Sequence, residues 1–95
     1  MRTTEREMTW TSAFKRDFKR EKKTDRQLED ILGPALSALI KDIPLAAKYR
    51  DHALTGDWQP NRDCHIKPDL VLVYQKPDED TLLLVRLGSH AELGL

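Results

Sequence analysis

Arg62-Asp63-Cys64-His65-Ile66-Lys67-Pro68-Asp69-Leu70-Val71-Leu72-Val73-Tyr74 holds two strands and the turn between them. Cys64 and Ile66 alternate with Asp63, His65 and Lys67, the period of two that sends apolar side chains to one side of a strand and polar ones to the other. Lys67-Pro68-Asp69 reads as a tight turn, because proline pre-sets the backbone for one. Leu70–Tyr74 is apolar without interruption, the pattern of a central strand covered on both faces. Pro77–Asp80 marks a second turn, and Thr81–Leu87 a third strand with Arg86 near its end. Turns this short pair each strand with the next, side by side and antiparallel.

Upstream the period lengthens to that of a helix. Met8–Thr11 has the length of a short edge strand. Ser12–Lys23 follows as a helix, with Phe14 and Phe18 four apart on one face and basic residues on the other. Thr24 and Gln27 have the capping-box spacing that opens a second helix, along which Leu28, Ile31, Leu32, Ala35, Leu36, Leu39 and Ile40 recur at helical intervals. Gly33-Pro34 predicts a kink or restart there, and the helix should end near Asp42, before Pro44. Leu45–Pro60 reads as a connecting loop with Gly56 as a turn signal. Ser89 and Glu92 repeat the capping-box spacing, so His90 begins a last short helix. The sum is one α+β domain spanning residues 1–95: two N-terminal helices packed on one face of a small antiparallel β-sheet, then a short C-terminal helix.

Ninety-five residues suffice for a single core, and 39% hydrophobic with 34% charged residues is a globular composition. The longest apolar run is strand-sized, which excludes a spanning helix, and Met1–Met8 lacks the apolar segment of an export signal. The lone Cys64 has no internal partner, which fits a reducing cytoplasm. Sixteen basic residues balance sixteen acidic ones, which weighs mildly against a strong nucleic-acid binder. The balance is uneven, however: Lys15 to Arg26 holds seven basic residues against three acidic ones. That run is either a solvated helix face or a surface for RNA.

The three histidines all fall after the second helix, at His52, His65 and His90. His65 ends one strand, Asp69 lies just across the turn, and Arg86 closes the third strand before the chain reaches His90. Hairpin geometry therefore allows His65 and His90 to converge at one rim of the sheet. Imidazoles exchange protons near neutral pH, so such a cluster suits acid–base chemistry. Metal binding is disfavoured, since Cys64 and His65 point to opposite faces and no CxxC or HxxxH spacing occurs. Cys64 falls on the apolar side, away from nucleophilic work. Trp10 and Trp58 read as packing anchors.

The stretch Tyr49-Arg50-Asp51-His52-Ala53-Leu54-Thr55-Gly56-Asp57-Trp58, then Arg62 to Asp69, then Arg86-Leu87-Gly88-Ser89-His90, resembles the YafQ branch of the RelE toxin superfamily. The likeness covers the last half of the chain at motif level, with the helices before it matching in order and length. It implies a RelE-like fold and a ribosome-dependent mRNA endonuclease held inactive by a cognate antitoxin, the two forming a hetero-oligomer. By position it implies His52, His65, Asp69 and His90 as catalytic residues. Arg86 is implied near the scissile phosphate, Asp63 as a supporting carboxylate, and Lys67 as a substrate contact. No metal or other cofactor is implied: the RNA's own 2′-hydroxyl attacks the phosphate. Lys15, Arg16, Lys19, Arg20, Lys22 and Lys23 are then available to ribosomal RNA. The chain departs from the family where aromatic residues are expected, at Leu70 and at Gly94 or Leu95. This leaves a weaker grip on the codon, or Tyr49 as the stacking residue.

Two other readings compete. One is a RelE-fold binding toxin without nuclease chemistry, comparable to the ParE branch that poisons gyrase. The other is an interaction domain with structural histidines. The histidines in motif favour the nuclease.

Overall fold

The computed structural model describes residues 5–95, so the reading of Met1–Met8 as free of an export signal falls partly outside them. In chain order the elements are β1 (Glu7–Trp10), α1 (Ser12–Thr24), α2 (Leu28–Ile40), β2 (His52–Ala53), β3 (Arg62–Lys67), β4 (Leu70–Gln75), β5 (Thr81–Gly88) and α3 (His90–Leu93), with short 3-10 turns at Ala47–Tyr49 and Gly56–Trp58. The strands form one sheet in the order β1-β5-β4-β3-β2. The hairpins β3–β4 and β4–β5 are antiparallel as expected. β1, however, lies parallel to β5, which makes the sheet mixed rather than purely antiparallel. The helix α1 carries the chain back along β5, so the first strand can enter in the same direction as the last.

The sheet has two different faces. Cys64, Leu72, Tyr74, Leu82 and Leu84 face α1 and α2, packing with Phe14, Leu28, Leu32 and Leu39 into the main core. Each fully buried leucine contributes about 1.5–3 kcal/mol by leaving water. Val71 and Val73 face the opposite way, under Leu93 of α3 and beside Leu54, Trp58 and Val85. Leu70–Tyr74 is buried throughout, as its unbroken apolar run requires. Trp58 is indeed a packing residue, but Trp10 is 52% exposed. It rims an apolar groove of about 330 Å³ with Met8, Phe14, Phe18, Leu32 and Leu36. No helix among the described residues is long and apolar enough to cross a membrane.

Several local expectations are corrected. α2 does not open on a Thr24–Gln27 capping box. Thr24 closes α1, its hydroxyl donating to the Glu21 carbonyl, and Asp25 accepts the Gln27 amide. α2 runs through Gly33-Pro34 without a restart; both residues lie on its exposed side, away from the packed face. Within Leu45–Pro60, His52–Ala53 forms an edge strand against β3. A bulge between His65 and Lys67 inserts an extra residue into β3. Lys67 is thereby paired with Leu70 on the helix side, where it binds Asp25, rather than sharing a face with Asp63 and His65.

β1 covers β5 only as far as Leu84, and α1 satisfies the rest of that edge. The Thr11 hydroxyl caps α1 by accepting the Phe14 amide at 3.0 Å and donates to the Val85 carbonyl at 2.7 Å. The next free donor and acceptor belong to Leu87. Asp17 accepts its amide at 3.0 Å, and Arg20 donates to its carbonyl at 3.0 Å.

Candidate active site

Register places the polar residues in rows across the face opposite α1 and α2. His52 pairs with Asp63, Asp63 with Val73, and Val73 with Arg86. One step along, His65 pairs with Val71 and Val71 with Gly88. His90 follows at the start of α3, fixed by a true capping box: Ser89 accepts the Glu92 amide at 3.1 Å, and Glu92 accepts the Ser89 amide at 2.9 Å.

The His65 and His90 rings meet edge to face, with centroids 5.0 Å apart. Asp69 reaches back across the β3–β4 turn, accepting the His90 amide at 3.2 Å and lying 2.8 Å from Nδ1. A carboxylate accepts, so Nδ1 carries the proton and Nε2 is left for other work. The hydrogen bonds from the His90 side chain and amide hold the Asp69 carboxyl below the usual carboxylate range. His65 and His90 line a cleft of about 660 Å³ at the sheet rim, with Lys48, Tyr49, Arg50, Ile66 and Lys67 among its other walls.

His52 lies off that cleft, on the edge strand. Its Nδ1 is 2.8 Å from the Arg50 carbonyl and 3.1 Å from Asp63 Oδ1. The carbonyl takes the proton; the carboxylate oxygen is near but off the donor's line, and is left buried without an aligned donor among the described residues. Burial pushes the Asp63 carboxyl above its ordinary range, against the pull of His52, His65 and His90. Of the three imidazoles, His52 lies directly against this buried carboxylate, while His65 and His90 meet at the cleft.

Arg86 belongs to the same sheet row, yet its guanidinium turns to α1. Nε donates to Asp17 Oδ2 at 2.7 Å and a terminal nitrogen to Oδ1 at 3.3 Å. Asp17 is 3% exposed. Burial raises its pKa, but Arg86, the Leu87 amide and Arg20 outweigh this and leave it below the ordinary value. Arg20 also faces Glu21 and Glu92, so it is part of this internal network rather than a free surface cation. Lys22 is paired with Glu29. Lys15, Lys19, Lys22 and Lys23 instead flank Phe18 in a separate depression on α1. Lys67 sits at the cleft but is paired with Asp25.

Sequence reasoning missed Asp17 and Arg50. Asp17 was legible as a position, three residues after Phe14 on the inward stripe of α1, but its charge made it look like surface. Arg50 stands in the motif directly before Asp51-His52, where only the histidine carries an evident chemical signal. Tyr49 packs partly against the core, with Lys48 Nζ 5.3 Å above its ring. Cys64 is fully buried, which pushes its thiol up to about 12 and removes it from nucleophilic chemistry at neutral pH. Among the described residues no three His, Cys, Asp or Glu side chains group closely enough to hold a metal ion.

A mixed sheet carrying two helices on one face and a histidine-lined rim on the other defines a small toxin of the RelE-like fold. Residues 6–94 match the family described as the bacterial toxin of type II toxin–antitoxin systems, YafQ, and the chain belongs to that family. The mRNA interferase toxin YafQ of Escherichia coli K12 is 30% identical over 89 residues, 94% of this chain and 96% of its own length. A relative from Haemophilus influenzae bearing the YafQ name is 44% identical over 64 residues, 64% of this chain and 63% of its own. Among solved structures, a copper-bound mutant toxin from Helicobacter pylori superposes with a TM-score of 0.86 at 41% identity, covering 92% of this chain and 97% of that one. YafQ in the E. coli DinJ–YafQ complex gives 0.82 at 32% identity, covering 93% and 97%.

Proposed function

We propose that this toxin is an mRNA endoribonuclease acting on translating ribosomes in the cytoplasm, and that a cognate antitoxin holds it inactive in a hetero-oligomer. The observation that carries the reading is the pairing of His65 with His90, ring centroids 5.0 Å apart, with Asp69 on Nδ1 of His90. RNA cleavage without an added nucleophile needs a base to take the 2′-proton and an acid to protonate the departing 5′-oxygen. The 2′-oxygen bonds to phosphorus, the bond from phosphorus to the 5′-oxygen breaks, and the products are a 2′,3′-cyclic phosphate and a 5′-hydroxyl. His65 and His90 take these two roles, Asp69 fixes the tautomer of His90, and Asp63 is a buried supporting carboxylate beside His52. Arg86 stands in the same sheet row, but its guanidinium is held by Asp17, so it serves the phosphate only on release from that pair. The set is complete without a metal. The family relationship supports the reading, since the E. coli relative is named an mRNA interferase and is solved with the antitoxin DinJ.

The test is cleavage of a defined mRNA on ribosomes. His65→Ala and His90→Ala each lower the single-turnover rate by about 10²–10⁴, the usual worth of general acid–base catalysis, while melting within a few degrees of wild type. Product ends should be cyclic phosphates. Intact mRNA in a translating extract containing the wild-type toxin overturns the proposal.

A further inference from the structure

We infer that Arg50 is a phosphate-binding residue of the cleft, holding the backbone of the RNA strand whose cleavage is proposed above. The inference rests on that reading for its substrate. Of the cations lining the cleft, Lys67 is paired with Asp25, and Lys48 lies over the Tyr49 ring. Arg50 is exposed, and its guanidinium has no hydrogen-bond or ion-pair partner among the described residues. Arg86 is engaged bidentately by Asp17, which offsets its charge. The uncompensated guanidinium beside His65 and His90 is therefore that of Arg50.

The backbone beneath it is built to hold still. Arg50 has φ +49°, the left-handed region that is strained for a non-glycine residue and persists only where neighbours impose it. The neighbours are on both sides. Tyr49 packs against the core, and the Arg50 carbonyl accepts His52 Nδ1 at 2.8 Å. Asp51 accepts the buried Tyr74 hydroxyl and is paired with Arg62 at 3.3 Å. The segment is thus tied to β2, β3 and β4 while Arg50 stays exposed at the cleft wall. A fixed base under a free, always-charged fork is what bidentate phosphate recognition requires. It also ties recognition to chemistry, because the carbonyl of the same residue orients His52.

The experiment titrates the full-length toxin, free of antitoxin, with a single-stranded 2′-O-methyl oligoribonucleotide at several salt concentrations. The probe has no free 2′-hydroxyl and is not cut. Arg50→Ala weakens binding about tenfold, the worth of one charge-assisted contact, and lowers the slope of log K against log salt by about 0.7, the value for one phosphate of a single strand. Arg50→Lys restores the slope but only part of the affinity, and Lys41→Ala, at the exposed end of α2, changes neither. Equal slopes for wild type and Arg50→Ala, or no salt-dependent binding by wild type, overturn the inference. Cleavage is scored separately: wild-type cutting with an Arg50-independent slope sinks this inference alone, and an Arg50-dependent slope without cutting sinks the nuclease alone.

Discussion

Replacing Asp17 by alanine removes the acceptor on which the end of β5 depends. Its carboxylate receives two bonds from Arg86, one from Arg20 and one from the Leu87 amide. The Leu87 amide is buried, and leaving it unpaired costs about 1–3 kcal/mol. The Arg86 and Arg20 side chains are 32% and 43% exposed, so both guanidiniums regain water, and each pair is worth at most about 1 kcal/mol after screening. The total is about 3 kcal/mol. A domain of this size loses about 4–8 °C per kcal/mol, so Asp17→Ala should melt roughly 15 °C below wild type by circular dichroism. Asp17→Asn keeps an acceptor for the amide and should lose about half as much. The pH dependence gives an independent check. The folded pKa of Asp17 is depressed, so its stabilisation is full above the ordinary value of 3.8 and is lost as pH falls through the lowered one. The gap between wild type and Asp17→Ala therefore narrows in acid below that point. A gap under about 3 °C at neutral pH, or one that stays constant into acid, refutes the reasoning.

Asp63→Asn should raise the melting temperature at neutral pH while slowing cleavage. The folded pKa of Asp63 is raised, so its ionised form subtracts stability above that pKa, and the gain from Asn fades as pH falls toward the ordinary 3.8. Gly88→Ala brings a methyl group to 3.1 Å from Arg20 and 3.2 Å from Glu92, and should cost about 1 kcal/mol, read as a drop of about 5 °C. Ser89→Ala removes the cap of α3 for about 1 kcal/mol and should cut the single-turnover rate at least as far as it lowers stability, because His90 is the next residue. A transition-metal chelator that spares magnesium should leave the cleavage rate on ribosomes unchanged.

What the sequence made legible was local. The two hairpins follow from period-two patterning and proline-marked turns, and α3 from its Ser89–Glu92 spacing, since each signal acts within a few residues. The meeting of His65, Asp69 and His90 followed from the same hairpins, because a tight turn leaves Asp69 no distance to travel. Three features depended on partners far along the chain. β1 joins β5 in parallel across about seventy residues, with no local mark of direction. Lys67 changes face through a bulge that alternation does not announce. Arg86 is turned toward α1 by Asp17, 69 residues away. The Thr24–Gln27 misreading is different in kind: the spacing was right, but Asp25, one residue later, took the Gln27 amide.

Zero net charge looks wrong for the proposed grip on RNA until the charges are placed in space. Much of the acid is taken up in pairs that hold the scaffold: Asp17 with Arg20 and Arg86, Glu29 with Lys22, Asp51 with Arg62, and Asp42 with Arg6 and Lys76. In salt near 0.15 M a phosphate senses charge over about 8 Å, so it is the local set that matters and not the sum. At the cleft that set is Lys48 and Arg50, while Lys67 is paired with Asp25 and Asp69 is held to His90. A balanced sequence thus presents a locally cationic rim. The same logic says where binding can be weakened without touching stability. An added acid beside Lys22, which Glu29 already pairs, changes little, whereas Arg50→Glu should abolish oligoribonucleotide binding at physiological salt and leave the melting temperature within about 2 °C, since Arg50 forms no side-chain bond that folding depends on. A charge reversal that leaves binding intact would mean that the phosphate lies elsewhere.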